Sequence, residues 1–123
     1  AAALASLAAL SKTKMPTYDE ETKKIDYKKR NGSLPLLKMP VECSLGKIGG
    51  IIIVDPLLEE ERLLDARLTV ASIGKKVNAL QKGGSGTLSI EEVEKMLKIA
   101  IDKNSENLKM VKKWNTLNMK KLG

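Results

Sequence analysis

Apolar residues recur with two different periods along this chain, and the changes of period mark its parts. In residues 1–10 an Ala/Leu-rich run is strongly helix-favouring, with Leu4, Leu7 and Ala8 on one face. Pro16 ends that helix. Residues 17–34 are polar and charged. They carry a turn signal at Asn31-Gly32-Ser33 and a weak alternation at Lys24-Ile25-Asp26-Tyr27, which fits a loose hairpin or a connector. From Met39 the period becomes two: Val41, Cys43 and Leu45 alternate with Glu42, Ser44 and Gly46, as in a half-buried strand. Gly49-Gly50 then turns the chain. Ile51-Ile52-Ile53-Val54 is short, continuous and β-branched, the pattern of a strand covered on both faces. The two strands read as a hairpin.

Asp55-Pro56 stops the second strand, and a charged connector with Glu59-Glu60-Glu61 follows. Residues 67–71 form the next strand, with Leu68 and Val70 inward and Arg67 and Thr69 on the other face. Gly74-Lys75-Lys76 turns and residues 77–81 return, giving a four-stranded antiparallel meander. Beyond a glycine-rich stretch, Ser89 and Glu92 match the S-x-x-E capping box, whose two side chains satisfy each other's backbone donors. Ile90, Val93, Leu97, Ala100, Ile101, Leu108 and Val111 then recur at helical spacing, interrupted by Asn104. The basic tail, residues 112–123, is expected to fray. Four strands and then a helix predict an α+β domain with helices on one face of a largely antiparallel sheet.

Composition narrows what such a domain can do. With 123 residues the chain is one domain, large enough to fold without disulfides or metal. It has no Phe, one Trp and two Tyr, so its core is built from Leu, Ile, Val, Ala and Met. Cys43 is the only cysteine and there is no histidine to activate it, so it reads as a small packed hydrophobe. The same absences remove most zinc and iron sites and favour an intracellular protein. No apolar run reaches the roughly 20 residues that span a membrane. AAALASLAAL resembles a signal-peptide core but has no basic stretch before it and no starting Met, so the chain reads as a fragment of a longer one. Net charge is +7, nearly all from lysine. That balance fits nucleic acid or a merely solvated lysine-rich surface about equally. The scarcity of rings argues against base stacking of the kind RNA recognition modules use.

Two stretches invite chemistry and resist it. QKGGSGTLSIEEV, residues 81–93, holds three glycines in four residues ahead of a helix. No Gly-Lys-Ser/Thr follows at the Walker spacing, and Gly84, Gly86 and Ser89 fail G-x-G-x-x-G at its third position. Ser89 and Glu92 occupy the helix donors that an anion needs, so a turn is the better reading. Asp55, Glu59, Glu60, Glu61 and Asp65 could bind magnesium, but such runs are more often solvated faces, and no metal is expected.

Taken together, IIIVDPLLEEERLLDARLTVA (residues 51–71), LQKGGSG (80–86) and the following helix resemble the second half of the RNase PH-like ring subunits. The resemblance is to the non-catalytic subunit of the archaeal exosome and its eukaryotic relatives. MPVECSLGKIGGIIIVDP and the opening AAALASLAALSKTKMP fit as well, so nearly the whole chain is covered. VDPxLEEE, DARLT and QKGG are specific in combination and weak singly.

The resemblance implies an α+β fold and a division into a helix left over from the preceding half (1–13), a connector (14–38) and a C-terminal lobe (39–123). It implies membership of a hexameric ring that degrades RNA from its 3′ end with inorganic phosphate as the attacking group. Active members carry an aspartate at the start of the third strand, in a pattern like E-A-D-M-P-I. Gapless counting puts Arg67 at that aspartate and Asp65 at the glutamate. Arginine cannot act as a general acid at neutral pH, so the chain is expected to be a non-catalytic subunit with no catalytic residue of its own. Asp65 is the alternative nucleic-acid-cleaving group if the connector is shifted by two residues. The expected partners are a catalytic RNase PH-like subunit, whose site uses the phosphate, and single-stranded RNA, with Lys47 and Lys82 as weak candidates for contact. The chain itself is expected to hold no cofactor and to meet no membrane. The expected compartment is the cytoplasm, and the nucleus too in a eukaryote. An RNase PH-type enzyme and a stand-alone α+β binding module are the rival readings.

Overall fold

The computed structural model describes residues 2–119 and the side chains of residues 2–113. Two compact units divide between Met39 and Pro40. In the first, helix α1 (Ala2–Lys12) buries Leu7 and half-buries Leu4 and Ala8, the predicted face. The helix stops at Lys12, ahead of Pro16, and Ser11 Oγ and Thr13 Oγ1 donate back to the Ala8 and Ala9 carbonyls of its last turn. Four short strands follow: β1 (Lys14–Met15), β2 (Thr17–Asp19), β3 (Lys24–Asp26) and β4 (Gly32–Ser33). β2 pairs antiparallel with β3, and β1 with β4. Gly32 and Ser33 therefore lie in a strand and not in the expected turn. The tight reversal is at residues 20–23 instead, where the Asp19 carboxylate accepts the N–H of Glu21 at 2.9 Å and Lys23 takes φ 53°.

The second unit is one sheet and one long helix. Its strands are β5 (Val41–Ile48), β6 (Ile51–Val54), β7 (Ala66–Ile73) and β8 (Lys76–Gly83), with helix α2 (Leu58–Glu61) in the connector and helix α3 (Ile90–Met119) last. All pairings are antiparallel. The order is β6-β5-β7-β8, so the chain makes two hairpins joined by a crossover and not the expected meander. β6 is consequently an edge strand. The expectation that Ile51-Ile52-Ile53-Val54 is covered on both faces fails, for Ile51 is 68% exposed and Val54 38%. A short apolar run marks a strand but cannot say how many neighbours it has.

α3 packs on the two central strands, β5 and β7. Cys43 and Leu45 from β5, Leu68 and Val70 from β7, and Met96 and Ala100 from α3 form the core. Ala100 has no exposed surface, and its small side chain lets the helix backbone approach the sheet. Met96, absent from the expected stripe, is buried, while Ile90, included in it, is 77% exposed at the helix start. The helix continues through Met119, and residues 120–123 of the basic tail lie outside the described residues. Burial raises the Cys43 thiol above its ordinary value, in keeping with a packed and unreactive cysteine.

Asn104 breaks the apolar stripe for a reason. It is buried, and its Nδ2 donates to the Val70 carbonyl at 3.1 Å and to Ser72 Oγ at 2.9 Å. The β7–β8 register slips between Ala71 and Ser72, beside those acceptors. A polar side chain on the helix thus serves polar groups where the ladder is irregular. Asn104→Leu removes both bonds, together with an Oδ1 that is buried without a partner, and should lower unfolding free energy by about 1 kcal/mol. Urea titration of the two proteins reads this, and an unchanged or higher midpoint contradicts it.

Candidate functional site

Antiparallel pairing brings the end of β5, the start of β7, the end of β8 and the start of α3 to one end of the sheet. Register then decides which side chains meet there. Arg67 stands opposite Gly46 on one side and Gly83 on the other. Lys47 pairs with the buried Ala66, and Lys82 with the buried Leu68, so both lysines belong to the helix side. Arg67 belongs to the opposite face, because successive strand residues alternate. The three candidate cations are therefore not brought together.

Each has its own surroundings. Lys47 Nζ lies 2.6 Å from Glu92 of α3, with a longer contact of 3.4 Å to the Thr87 carbonyl. Lys82 Nζ donates to the Gly84 carbonyl at 2.6 Å. Arg67 is exposed, has no ion-pair partner among the described residues, and lays its guanidinium over Gly83, where an added Cβ would stand 3.4 Å from it. At Gly46 the space that a Cβ would need is taken by Leu64.

Asp65 sits at the junction of three segments. Its N–H donates to the Lys47 carbonyl at 2.8 Å, its carbonyl accepts the Gly86 N–H at 2.8 Å, and its carboxylate accepts the Gly49 N–H at 2.8 Å. The carboxylate thereby fastens the β5–β6 turn, and the backbone fastens the glycine-rich stretch. The second role explains the glycines. A Cβ on Gly84 would lie 2.9 Å from the Asp65 carbonyl oxygen, and one on Gly86 2.6 Å from it. Gly84 also takes φ 81°. The stretch makes a close backbone approach, not a phosphate cradle.

The helix start is closed to anions by its own cap. Ser89 Oγ accepts the Glu92 N–H at 3.2 Å, and Glu92 Oε2 accepts the Ser89 N–H at 2.8 Å. The bond from Lys47, and then that from the Ser89 N–H, hold the Glu92 carboxyl below its ordinary value. Among the acids of the connector, Glu60 accepts the Leu57 N–H at 2.8 Å. Among the described residues no cluster of three or more His, Cys, Asp or Glu side chains is placed to hold a metal. The Lys47–Glu92 pair and the cover of Leu64 over Gly46 have no local sequence signature, since both join residues far apart in the chain.

Residues 38–103 match the model of the 3′ exoribonuclease family, domain 2. The chain belongs to this family. The matched span runs through the whole sheet, the Asp65 junction and the first half of α3. Over 109 residues the chain is 38% identical to exosome complex component Rrp42 of Thermococcus kodakarensis, covering 86% of this chain and 40% of that one. It is 39% identical over 111 residues to Rrp42 of Pyrococcus horikoshii, covering 88% and 40%. In structure it is similar to a chain of the Archaeoglobus fulgidus exosome with RNA bound to the active site, at a TM-score of 0.72 and 27% identity over 87% of this chain and 40% of that chain. A chain of an archaeal exosome core gives 0.69 and 28%, over 85% and 40%. The chain thus spans about 40% of the length of the curated relatives it matches. Among the described residues no helix is long and apolar enough to cross a membrane.

Two outcomes test this account of the strand end. Gly86→Ala forces a methyl against the Asp65 carbonyl and should cost about 2 kcal/mol by chemical denaturation; wild-type stability would show that the approach is not tight. Glu92 contributes stability that is fully present above the ordinary carboxyl value of 4.5 and is lost as pH falls from there through its lowered value in the folded protein. Denaturation midpoints measured against pH should therefore fall on the acid side for wild type and fall less for Glu92→Gln. Parallel curves contradict the assignment.

Proposed function

We propose that this chain is the C-terminal lobe of a non-catalytic, RNA-associated exosome subunit. The complex it serves is a hexameric ring that shortens single-stranded RNA from the 3′ end by phosphorolysis. Its role is to complete the interface with a catalytic RNase PH-like subunit and the channel wall beside that subunit's site, where inorganic phosphate attacks. It supplies no catalytic group and holds no cofactor. Its compartment is the cytoplasm, with the nucleus added in a eukaryote.

The observation that carries this reading is the match to Rrp42-named relatives over 86% and 88% of the chain. The site supports it. By gapless counting Arg67 falls where the resemblance implies an aspartate in active members, and a guanidinium cannot exchange protons near neutral pH. Asp65, the other candidate for catalysis, has its carboxylate engaged by the Gly49 N–H. Ile51, Leu57, Leu58 and Leu63 are each exposed by more than half, which suits a subunit made for assembly.

Light scattering on the chain alone and mixed with a catalytic RNase PH-like subunit tests assembly, and RNA shortening with and without phosphate tests activity. The expected result is inactivity alone and a discrete complex on mixing. Phosphate-dependent shortening by the chain alone overturns the non-catalytic assignment. A monomer indifferent to the catalytic subunit overturns the assembly.

A further inference from the structure

The first unit contains both tyrosines of the chain, and the fold leaves both in the open. Tyr18 on β2 pairs with Ile25 on β3, so the two side chains share one face of the ribbon. Tyr27 lies in the turn that directly follows β3. Tyr18 is 56% exposed, Ile25 48% and Tyr27 67%. Exposed rings on a two-stranded ribbon have no core to build.

Charge is divided along the ribbon. Residues 17–30 hold five Lys and Arg against the four Asp and Glu of the first unit, a net of +1, with three of the cations consecutive at residues 28–30. The cations Lys28, Lys29 and Arg30 lie at the base of the ribbon, and Asp19, Glu20 and Glu21 at its tip. The basic run is held in place: Thr17 donates to the Lys29 carbonyl through both N–H, at 2.8 Å, and Oγ1, at 3.2 Å. The Lys28 N–H donates to the Asp26 carboxylate at 2.9 Å. Among the described residues the side chains of Lys28 and Lys29 have no acidic partner.

Flat rings beside unneutralised cations fit a ligand with flat faces and a regularly charged backbone. We infer that the β2–β3 ribbon is a contact site for single-stranded RNA, with bases stacking on Tyr18 and Tyr27 and phosphates meeting Lys28 and Lys29. This revises the expectation that the chain has no stacking surface: two rings suffice when both are exposed on one ribbon next to a basic run. The inference rests on the RNA-associated reading in taking RNA as the ligand. A protein surface is the less suitable partner, since the patch holds three apolar side chains with a cationic border.

Fluorescence anisotropy of an end-labelled single-stranded oligoadenylate, titrated with the full chain, tests the site. Tyr18→Ala and Tyr27→Ala should each weaken binding about tenfold, whereas Tyr→Phe at the same positions should keep it, because the ring face carries the contact. Lys28→Glu with Lys29→Glu should lower the slope of log affinity against log salt by about 1.4, for two phosphates on a single strand. Thermal midpoints of all variants should match wild type. Absence of RNA binding by wild type, equal binding by the alanine variants, or equal loss in the phenylalanine variants overturns the inference. Variants that keep RNA binding but fail to join the catalytic subunit would assign the ribbon to a protein partner, sinking the inference and sparing the proposed function. Tyrosine-dependent RNA binding without assembly would sustain the inference and sink the proposed function.

Discussion

The sheet end is organised by one residue, Asp65, whose N–H, carbonyl and carboxylate each hold a different segment. Lys47, Gly49 and Gly86 are its three partners, all at 2.8 Å. The crossover must bring the chain from edge strand β6 past β5 to start β7, and its last step is fixed by these bonds. With them in place, β7 enters in the register that sets Arg67 between two glycines, and the glycine-rich stretch delivers α3 onto β5 and β7. The Asp65 carboxylate gives the exposed Gly49 N–H an acceptor within the protein. The glycines are needed because two backbones touch.

That constraint bears on chemistry. Asp65 commits one carboxylate oxygen to a turn N–H, and Arg67, two residues on, cannot transfer protons near neutral pH. Lys47 is tied to Glu92 and Lys82 to the Gly84 carbonyl, on the side of the sheet away from Arg67. The end of the sheet that invites a catalytic reading is thus occupied with holding itself together. The ribbon of the first unit carries exposed cations and both exposed rings. A structural lobe in a degradative complex, with its own RNA contact, accommodates both observations.

What the sequence disclosed was local. The alternation at Val41, Cys43, Leu45 and at Leu68, Val70 set the core faces of β5 and β7, and S-x-x-E set the start of α3, because each pattern involves residues within one element. Strand order was not legible, since the apolar Ile51-Ile52-Ile53-Val54 run has the same appearance at the edge as in the centre. Asn104 looked like an interruption because its partners, Val70 and Ser72, are distant in sequence. The candidate site was legible in its residues but not in its arrangement. Nothing in the spacing of Lys47, Arg67 and Lys82 reveals that register sends them to opposite faces. The family was legible through VDPxLEEE, DARLT and QKGG together, and the structure now gives parts of these motifs physical work: Asp65 joins segments, and Gly84 admits the close approach.

The central claim is that Asp65 maintains structure and performs no catalysis. The most direct test replaces Asp65 with Asn in the assembled complex with a catalytic subunit and measures two quantities together: the denaturation midpoint and the phosphate-dependent rate of RNA shortening per assembled complex. The account predicts a lower midpoint, from weakening the bond to the Gly49 N–H, with an unchanged rate. A lost rate at an unchanged midpoint would contradict it and make Asp65 a catalytic residue.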